Sequence, residues 1–281
     1  MHKITDYLVK EKRNGETLFY KPRFPIQAAL TSFAEWQQGK HATGKILKAT
    51  GKSRVMIIPT TGIPSYSSLC VKEYATRQWS SRLKTAAGYS KAKIAWNNAL
   101  RLKLRSIPTP EPFALVEQKR GLLSHWSLLI SEDLSRFPRV DYYILDAYYH
   151  QAPSAAVFTA KRRFIESFAA AIRSLHDKQI YLGDLKAPNI LVEKALQEWI
   201  FYFVDTDRVT FEQPVSLRRI VKNFAQLHTS IPWCITKTDR LRFLVAYLGK
   251  DRLHTRHRKT IIRNVLRESS KRLAVHMTPI E

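Results

Sequence analysis

The sequence predicts an α+β chain of two lobes, in which a small lobe rich in antiparallel β strands precedes a mostly helical large lobe. Ser68–Tyr74 alternates apolar and polar residues, the pattern of a half-buried strand. Farther along, Lys161–His176 has the spacing of an amphipathic helix, with one apolar stripe formed by Phe164, Phe168, Ile172 and Leu175. An apolar fraction of 44% over 281 residues is sufficient for a substantial core.

Three segments follow one another along the chain. Residues 1–43 are expected to be an N-terminal extension that carries a helix over Ala28–Gln37. Residues 44–133 are expected to form the small lobe, and residues 134–281 the large lobe. Within the small lobe, Gly44–Thr50 and Arg54–Pro59 are predicted strands on either side of a glycine turn.

A motif of polar residues in the predicted large lobe indicates which chemistry the protein carries out. Asp184 is followed by Lys186 two residues later and by Asn189 five residues later, and a later apolar strand ends at Asp205. This order and spacing match the catalytic loop and the metal-binding carboxylate of kinases. The apolar runs after Asn189 and before Asp205 are predicted to pair as a hairpin that holds these two residues side by side.

Phosphoryl transfer from ATP explains why these residue types are needed. A carboxylate orients the acceptor hydroxyl and takes its proton, which is the expected role of Asp184. Oxygen ligands hold Mg²⁺ on the polyphosphate, the expected role of Asn189 and Asp205. Lys186 is expected near the γ-phosphate, where a cation offsets the developing charge.

The nucleotide-binding residues of the small lobe are inferred from position. Lys72, in the middle of the strand over Ser68–Tyr74, is expected to hold the α- and β-phosphates. Glu132 follows the apolar segment Trp126–Ile130 and is expected in the hinge, whose backbone would meet adenine. The sequence contains no complete Gly-x-Gly-x-x-Gly, so the phosphate-cradling loop is inferred from context.

Taken in order, these residues resemble the lipopolysaccharide core kinase family, known as Kdo/WaaP, whose fold is similar to a reduced eukaryotic protein kinase. The resemblance extends from about Gly44 to Leu248. Besides Lys72, Asp184, Asn189 and Asp205, it rests on three segments, Ala95–Leu100, Ile107–Pro112 and Asp239–Leu248.

The resemblance implies an ATP- and Mg²⁺-dependent kinase that phosphorylates a sugar hydroxyl, on heptose or Kdo, in the inner core of lipopolysaccharide. Its expected partner is the lipopolysaccharide core acceptor. Its expected location is cytoplasmic, peripheral at the cytoplasmic face of the inner membrane.

Three departures from protein kinases stand out. Leu182 replaces the usual histidine before the catalytic loop, so we expect apolar packing to hold this loop. Thr206 and Asp207 replace Phe-Gly, so a phenylalanine-driven activation switch is not expected. The predicted helix over Lys91–Arg105 has no acidic residue to pair with the small-lobe lysine, and Glu117, at the end of a strand, is the candidate substitute. A pseudokinase that binds nucleotide without turnover therefore stays open.

A net charge of +24 points to polyanionic partners such as nucleic acid, acidic phospholipid or phosphorylated glycolipid. Near the C-terminus, one helical face carries apolar residues and another carries basic ones: Ile262, Leu266 and Leu273, and Arg263, Arg267 and Lys271. Such a helix either lies on an anionic bilayer or packs as a terminal helix with a solvated basic face.

The remaining features concern the cellular setting. The first residues lack the apolar run of a signal peptide, and no run of about 18 apolar residues occurs, so we expect neither export nor a membrane span. Cys70 and Cys234 are far apart and have no metal-ligand spacing, as expected for reduced thiols in the cytosol.

Two alternatives remain from the residues alone. One is a basic nucleic-acid-binding protein with a kinase-like shell, but the sequence contains no zinc spacing or recognised nucleic-acid motif, so nucleic acid is not the expected partner. The other is a small-molecule or protein kinase, because these enzymes share the spacing of Asp184 and Asn189.

Overall fold

A computed structural model describes residues 8–13, 15–40, 43–51, 53–75, 90–120, 124–196, 198–211, 214–249 and 255–277. The chain forms two compact units, Met1–Arg136 and Phe137–Glu281. The predicted α+β fold, with an antiparallel sheet in the first half and helices in the second, is confirmed. Lys52 of the predicted glycine turn, and Met1–Asp6, lie outside the described residues.

The first unit is built on a seven-stranded sheet with the order β1-β2-β6-β7-β5-β4-β3, in which each neighbouring pair is antiparallel. Its strands are β1 (Val9–Arg13), β2 (Glu16–Tyr20), β3 (Lys45–Ala49), β4 (Ser53–Pro59), β5 (Ser68–Ala75), β6 (Pro112–Arg120) and β7 (Ser124–Glu132). Among the residues that the structure describes, the helices that accompany the sheet are α1 (Ile26–Gln37) and α2 (Lys91–Leu104).

Each face of this sheet packs against one helix, because successive side chains of a strand point to opposite faces. Ala114, Val116 and Leu128 belong to the same core cluster as Phe33 of α1. The other face has its own cluster, in which α2 contributes Ala92, Ala95, Trp96 and Leu100, and the strands contribute Tyr74, Leu115 and Leu129. Both faces of the sheet are therefore buried at its central strands, whereas the edge strand β3 is exposed.

The N-terminal segment forms part of the sheet, which its sequence did not indicate. Residues 1–43 were expected to be an extension with one helix, and this helix is α1. The same segment also supplies β1 and β2, and β2 pairs with β6 from Glu16↔Gln118 to Tyr20↔Ala114. Leu18 of β2 is 1% exposed, so the extension contributes to the core of the first unit.

The second unit is mostly helical. Its helices are α3 (Val140–Ile144, continued by a π turn over Leu145–Tyr149), α4 (Ala155–Asp177), α5 (Leu217–Ser230), α6 (Lys237–Leu248) and α7 (Thr255–Met277). Two small antiparallel pairs complete it: β8 (Ile180–Leu182) with β11 (Val209–Phe211), and β9 (Ile190–Ala195) with β10 (Glu198–Phe203).

Helix α4 is the centre of this unit and begins earlier than the sequence pattern indicated. Its predicted apolar stripe is confirmed, since Phe164, Phe168, Ile172 and Leu175 are all buried. The Ser154 hydroxyl accepts a hydrogen bond from the amide of Val157 and caps the N-terminus. The helix packs against α6, and its C-terminal end leads directly into β8.

Helix α7 packs against α5, but through different residues than its sequence pattern indicated. Ile261 and Ser269 are the buried positions, whereas Ile262, Leu266 and Leu273, the predicted apolar face, are 36%, 49% and 51% exposed. These three residues are therefore only partly buried, and Ile262 and Leu266 also line an apolar cavity of the second unit. No helix in the described part of the chain combines the length and apolar character needed to span a bilayer.

Candidate active site

The loop between β8 and β9 brings three of the predicted residues together. Lys186 Nζ lies 2.8 Å from Asp184 Oδ2, and Asn189 Nδ2 donates to the same oxygen at 3.1 Å. Asn189 Nδ2 also donates to the backbone oxygen of Asp184 at 3.0 Å. Two donors thus fix the Asp184 side chain at one carboxylate oxygen, while the other oxygen takes part in neither bond.

The hairpin of β9 and β10 has the predicted role of joining Asn189 to Asp205. Phe203 pairs with Ile190, and the next amide, that of Val204, donates to the carbonyl of Asn189 at 3.0 Å. Asp184, Asn189 and Asp205 consequently line one small cleft of the second unit.

Asp205 itself has a left-handed backbone conformation, with φ +65° and ψ +62°. L-residues rarely adopt this conformation, and aspartate and asparagine tolerate it better than most. Strained backbone of this kind is concentrated at functional sites.

Gly183 is needed because two backbone segments meet beside Asp184. The amide of Gly183 donates to the carbonyl of Arg208 at 2.7 Å. A Cβ atom on Gly183 would lie 2.8 Å from this carbonyl oxygen, closer than Cβ atoms approach other groups in proteins. The residue before Asp184 is therefore restricted to glycine by packing.

The expectation that apolar packing holds the loop in place of the missing histidine is wrong. Leu182 is 8% exposed, but its carbonyl accepts a hydrogen bond from Asn223 Nδ2 at 2.7 Å. Gln226 Nε2 donates to the next carbonyl, that of Gly183, at 2.7 Å. Polar side chains of α5 hold the loop because its backbone groups are buried and need partners.

Sequence reasoning did not identify these α5 residues. Asn223, Gln226 and Ser230 recur at a spacing that places them on one side of a helix, among buried apolar positions such as Phe224 and Leu227. A polar row within an apolar helical face is the signal that could have revealed them.

Lys72 lies at the centre of β5, with its ammonium group 5.0 Å from the ring centre of Tyr74. Lys72 and Leu115 both pair with Leu129, so they share the sheet face that α2 covers. Glu117 lies two residues beyond Leu115 and thus on the same face, within β6 and not at the end of a strand. Its carboxylate accepts a hydrogen bond from the hydroxyl of Ser90, the residue that caps α2.

Glu132 is the last residue of β7. Its amide donates to the carbonyl of Glu111 at 2.9 Å, and its carboxylate accepts from the amide of Glu111 at 3.2 Å. The next residue, Asp133, accepts hydrogen bonds from Ser68 Oγ at 2.6 Å and from the amide of Ser135 at 2.7 Å. The predicted hinge segment is thus fixed at the end of the sheet.

The donor set fits a magnesium ion that is bound together with a nucleotide. In the described ranges, no group of three or more His, Cys, Asp or Glu side chains could hold a metal ion. Asn189 and Asp205 supply an amide oxygen and a carboxylate, and Mg²⁺ typically takes one or two carboxylates and completes its shell with phosphate oxygens and water.

A larger cavity, of about 850 Å³, lies elsewhere in the second unit. Its walls come from α4, α5, α6 and α7 and include Phe168, Leu244 and Ile261. None of the predicted site residues lines this cavity. We therefore do not assign the phosphoryl transfer to it, although it is the larger of the two.

Comparisons with known proteins agree with this geometry. The family model described as lipopolysaccharide kinase (Kdo/WaaP) family matches residues 65–247. A solved structure described as WaaP in complex with acyl carrier protein is similar with a TM-score of 0.62 and 19% identity, over 90% of this chain and 98% of that one. No curated protein matches by sequence.

The family match begins before Lys72 and ends after Asp205, so it includes all of the predicted site residues. The structural likeness, at its low identity, supports the fold independently. Because the match extends over well over half of the chain, this protein belongs to the lipopolysaccharide kinase (Kdo/WaaP) family.

Proposed function

We propose that this kinase transfers the γ-phosphoryl group of ATP to a sugar hydroxyl of the lipopolysaccharide inner core, on heptose or Kdo, and that Asp184 is its catalytic base. One observation carries the proposal. Asp184, Asn189 and Asp205 line one cleft, and Lys186 and Asn189 fix the Asp184 carboxylate. This arrangement supplies a base, two oxygen ligands and a cation, which are the groups that phosphoryl transfer requires.

Each residue has a separate role in this mechanism. Asp184 accepts the proton of the sugar hydroxyl as its oxygen attacks the γ-phosphorus, and the bond to the β-phosphate oxygen breaks. Lys186, held 2.8 Å from Asp184, stabilises the negative charge on the transferred group. The products are ADP and a sugar phosphate, and the proton is held by the Asp184 carboxyl group after the transfer.

The proposed nucleotide-binding residues are those that the sequence indicated. The Asn189 side chain and the Asp205 carboxylate would hold Mg²⁺, which would neutralise phosphate charge. Lys72 would contact the α- and β-phosphates, and the backbone after Glu132 would meet adenine.

A transfer assay separates this proposal from the pseudokinase and nucleic-acid alternatives. Purified protein is incubated with Mg-ATP and a dephosphorylated lipopolysaccharide core, and the acceptor is examined by mass spectrometry. We expect one added phosphate on an inner-core sugar. ATP binding without transfer would favour a pseudokinase or another acceptor, and salt-sensitive duplex or single-strand binding without transfer would favour a nucleic-acid-binding protein.

An acyl carrier protein is a second proposed partner, since the similar WaaP structure is a complex with one. The cavity of about 850 Å³ between α4, α5, α6 and α7 has the size and apolar lining of sites that enclose flexible ligands. An acyl chain fits such a lining. We expect acylated carrier protein to bind more tightly than the unacylated form, measured by calorimetry, and equal affinity would contradict a role for the cavity.

Peripheral contact with an anionic membrane is proposed through α7. Its half-exposed Ile262, Leu266 and Leu273 lie beside the exposed Arg263 and Arg267. Apolar insertion combined with basic residues is how amphipathic helices bind anionic bilayers. This contact would place the enzyme at the cytoplasmic face of the inner membrane, where its glycolipid acceptor is made.

A further inference from the structure

One face of α5 carries a buried polar row directed at the catalytic loop. Asn223 and Gln226 are 0% and 3% exposed, and Ser230 is partly buried. Buried amide groups destabilise a fold unless they are hydrogen-bonded. In this row, the partners are backbone groups between Leu182 and Ala187.

Gln226 makes the central contact. Its Nε2 atom donates to the carbonyl of Gly183 at 2.7 Å, and its Oε1 atom accepts from the amide of Leu185 at 3.2 Å. Asp184 lies between these two peptide groups. A single planar amide thus holds the backbone on both sides of the proposed base.

The neighbouring residues extend this contact in both directions. Asn223 Nδ2 donates to the carbonyl of Leu182 at 2.7 Å and to Gln226 Oε1 at 3.0 Å. Ser230 Oγ accepts from the amide of Ala187 at 2.9 Å. Four backbone groups of the loop are therefore bound to one rigid helix.

A histidine fixes the orientation of this row. His176 Nε2 lies 3.1 Å from Asn223 Oδ1, and His176 Nδ1 lies 2.8 Å from the hydroxyl of Tyr247. Because Asn223 Nδ2 already donates to the loop, its Oδ1 atom is the acceptor, so His176 Nε2 carries the proton. Nδ1 then accepts from Tyr247.

From these contacts we infer that Gln226 is a positioning residue, which fixes the Asp184 carboxylate by binding the peptide groups on both sides of it. The inference rests on the proposed role of Asp184 as base. Misplacing a reacting group by about 1 Å can lower a rate by about a hundredfold. Loss of the Gln226 amide should therefore affect the chemical step more than nucleotide binding.

The test compares three variants. Gln226→Met keeps the length of the side chain but removes both hydrogen bonds. Gln226→Glu keeps the acceptor for Leu185 but cannot donate to Gly183. The control is Thr229→Ala on the same helix, because the Thr229 hydroxyl donates to the carbonyl of Ala225 and does not contact the loop.

Two measurements are made on folded, active-site-titrated protein. For Gln226→Met, we expect kcat of phosphate transfer to fall about 10- to 100-fold, with KM for Mg-ATP within about twofold of wild type. Hydrogen exchange at the amide of Leu185 should become at least about tenfold faster. In Gln226→Glu, the amide of Leu185 should exchange more slowly than in Gln226→Met, but kcat should still fall. Thr229→Ala should match the wild type in kcat and in the exchange rate at Leu185.

The inference would be overturned if Gln226→Met kept the wild-type kcat. It would also be overturned if the activity of this variant fell only in proportion to its nucleotide binding. Unchanged exchange at Leu185 would overturn it as well. The exchange experiment needs no acceptor. If the wild type transfers no phosphate but exchange at Leu185 accelerates in Gln226→Met, the proposed function fails while the contact with the loop stands.

Discussion

At the scale of single residues, the site combines a fixed carboxylate with a strained one. Asp184 is held by two donors at one oxygen, which limits rotation of its side chain before any substrate binds. Asp205 occupies the left-handed region at the end of β10. Both features indicate that the fold holds these two carboxylates in fixed positions and that this lowers local stability.

Two substitutions of Asp205 should distinguish the effect of backbone strain on stability from the effect of the carboxylate on metal binding. Asparagine also tolerates the left-handed region, so Asp205→Asn should unfold at nearly the same urea concentration as wild type while Mg²⁺-dependent nucleotide binding weakens. Asp205→Ile should lose roughly 1–3 kcal/mol of unfolding free energy, because a β-branched residue is strained at this φ. Equal destabilisation by the two substitutions would contradict this account.

Gly183 offers a test of packing beside the base. The added methyl group of Gly183→Ala would meet the Arg208 carbonyl, so we expect a loss of roughly 1–3 kcal/mol in urea unfolding and a large fall in activity. Gly51→Ala is the matched control, since a Cβ at Gly51 meets no atom within 4 Å. Its stability should stay within about 0.5 kcal/mol of wild type. Similar losses in both variants would refute the packing argument.

His176 should make stability depend on pH. Burial lowers its pKa below the ordinary 6.5, while hydrogen bonding to Asn223 and the nearby Asp177 act in the opposite direction. Since the unfolded chain binds the proton more readily, stability falls as pH decreases from about 6.5 through the lower folded pKa. The hydroxyl of Tyr247 faces the ring from α6.

Comparison of wild type with His176→Gln tests this dependence. Between about pH 7.5 and pH 5.5, the wild type should lose about 1 kcal/mol more unfolding free energy than the variant. The lowered pKa of His228, which is caused mainly by burial, affects both proteins equally. Parallel pH dependences would contradict the assignment.

At the scale of elements, α7 presents two different surfaces. Ile261 and Ser269 are buried, whereas the apolar stripe of Ile262, Leu266 and Leu273 is half-exposed. An ordinary surface helix would turn its apolar residues inward. This half-exposed stripe is flanked by arginines, and although Ile262 and Leu266 also line the cavity between the helices, its exposure is the reason for proposing membrane contact.

Charge reversal tests the membrane contact. The triple variant Arg263→Glu, Arg267→Glu and Lys271→Glu should bind phosphatidylglycerol vesicles at least about a hundredfold more weakly, since each basic residue contributes about 1 kcal/mol near an anionic surface. The control reverses the same number of exposed charges in the first unit, at Lys12, Lys45 and Lys48. If both variants lose binding equally, net charge and not α7 drives the attraction.

The elements also show what a sequence can reveal. The stripe of α4 and the hairpin of β9 and β10 were predictable, because their patterns are local and because the stripe and alternate residues of the hairpin are buried. The pairing of β2 with β6 was not, since it joins strands far apart in the chain. The hydrogen bond between Leu185 and Gln226 spans 41 residues, and no local pattern encodes it.

At the scale of the whole molecule, a charge of +24 and membership of a lipopolysaccharide kinase family point in the same direction. A glycolipid acceptor that carries phosphate, in an anionic membrane, is the kind of polyanion such a protein attracts. In the proposed account, the charge would recruit the protein to its acceptor, and the cleft around Asp184 would carry out the phosphoryl transfer.

The most direct test of the central claim is transfer of labelled phosphate from Mg-ATP to purified lipopolysaccharide core. Wild type is compared with Asp184→Asn, Asp205→Asn and, as control, Asp207→Asn. We expect robust transfer by wild type and Asp207→Asn, and a loss of roughly a hundredfold or more in the other two variants. Undiminished transfer by Asp184→Asn would contradict the account, because it would remove Asp184 from the mechanism.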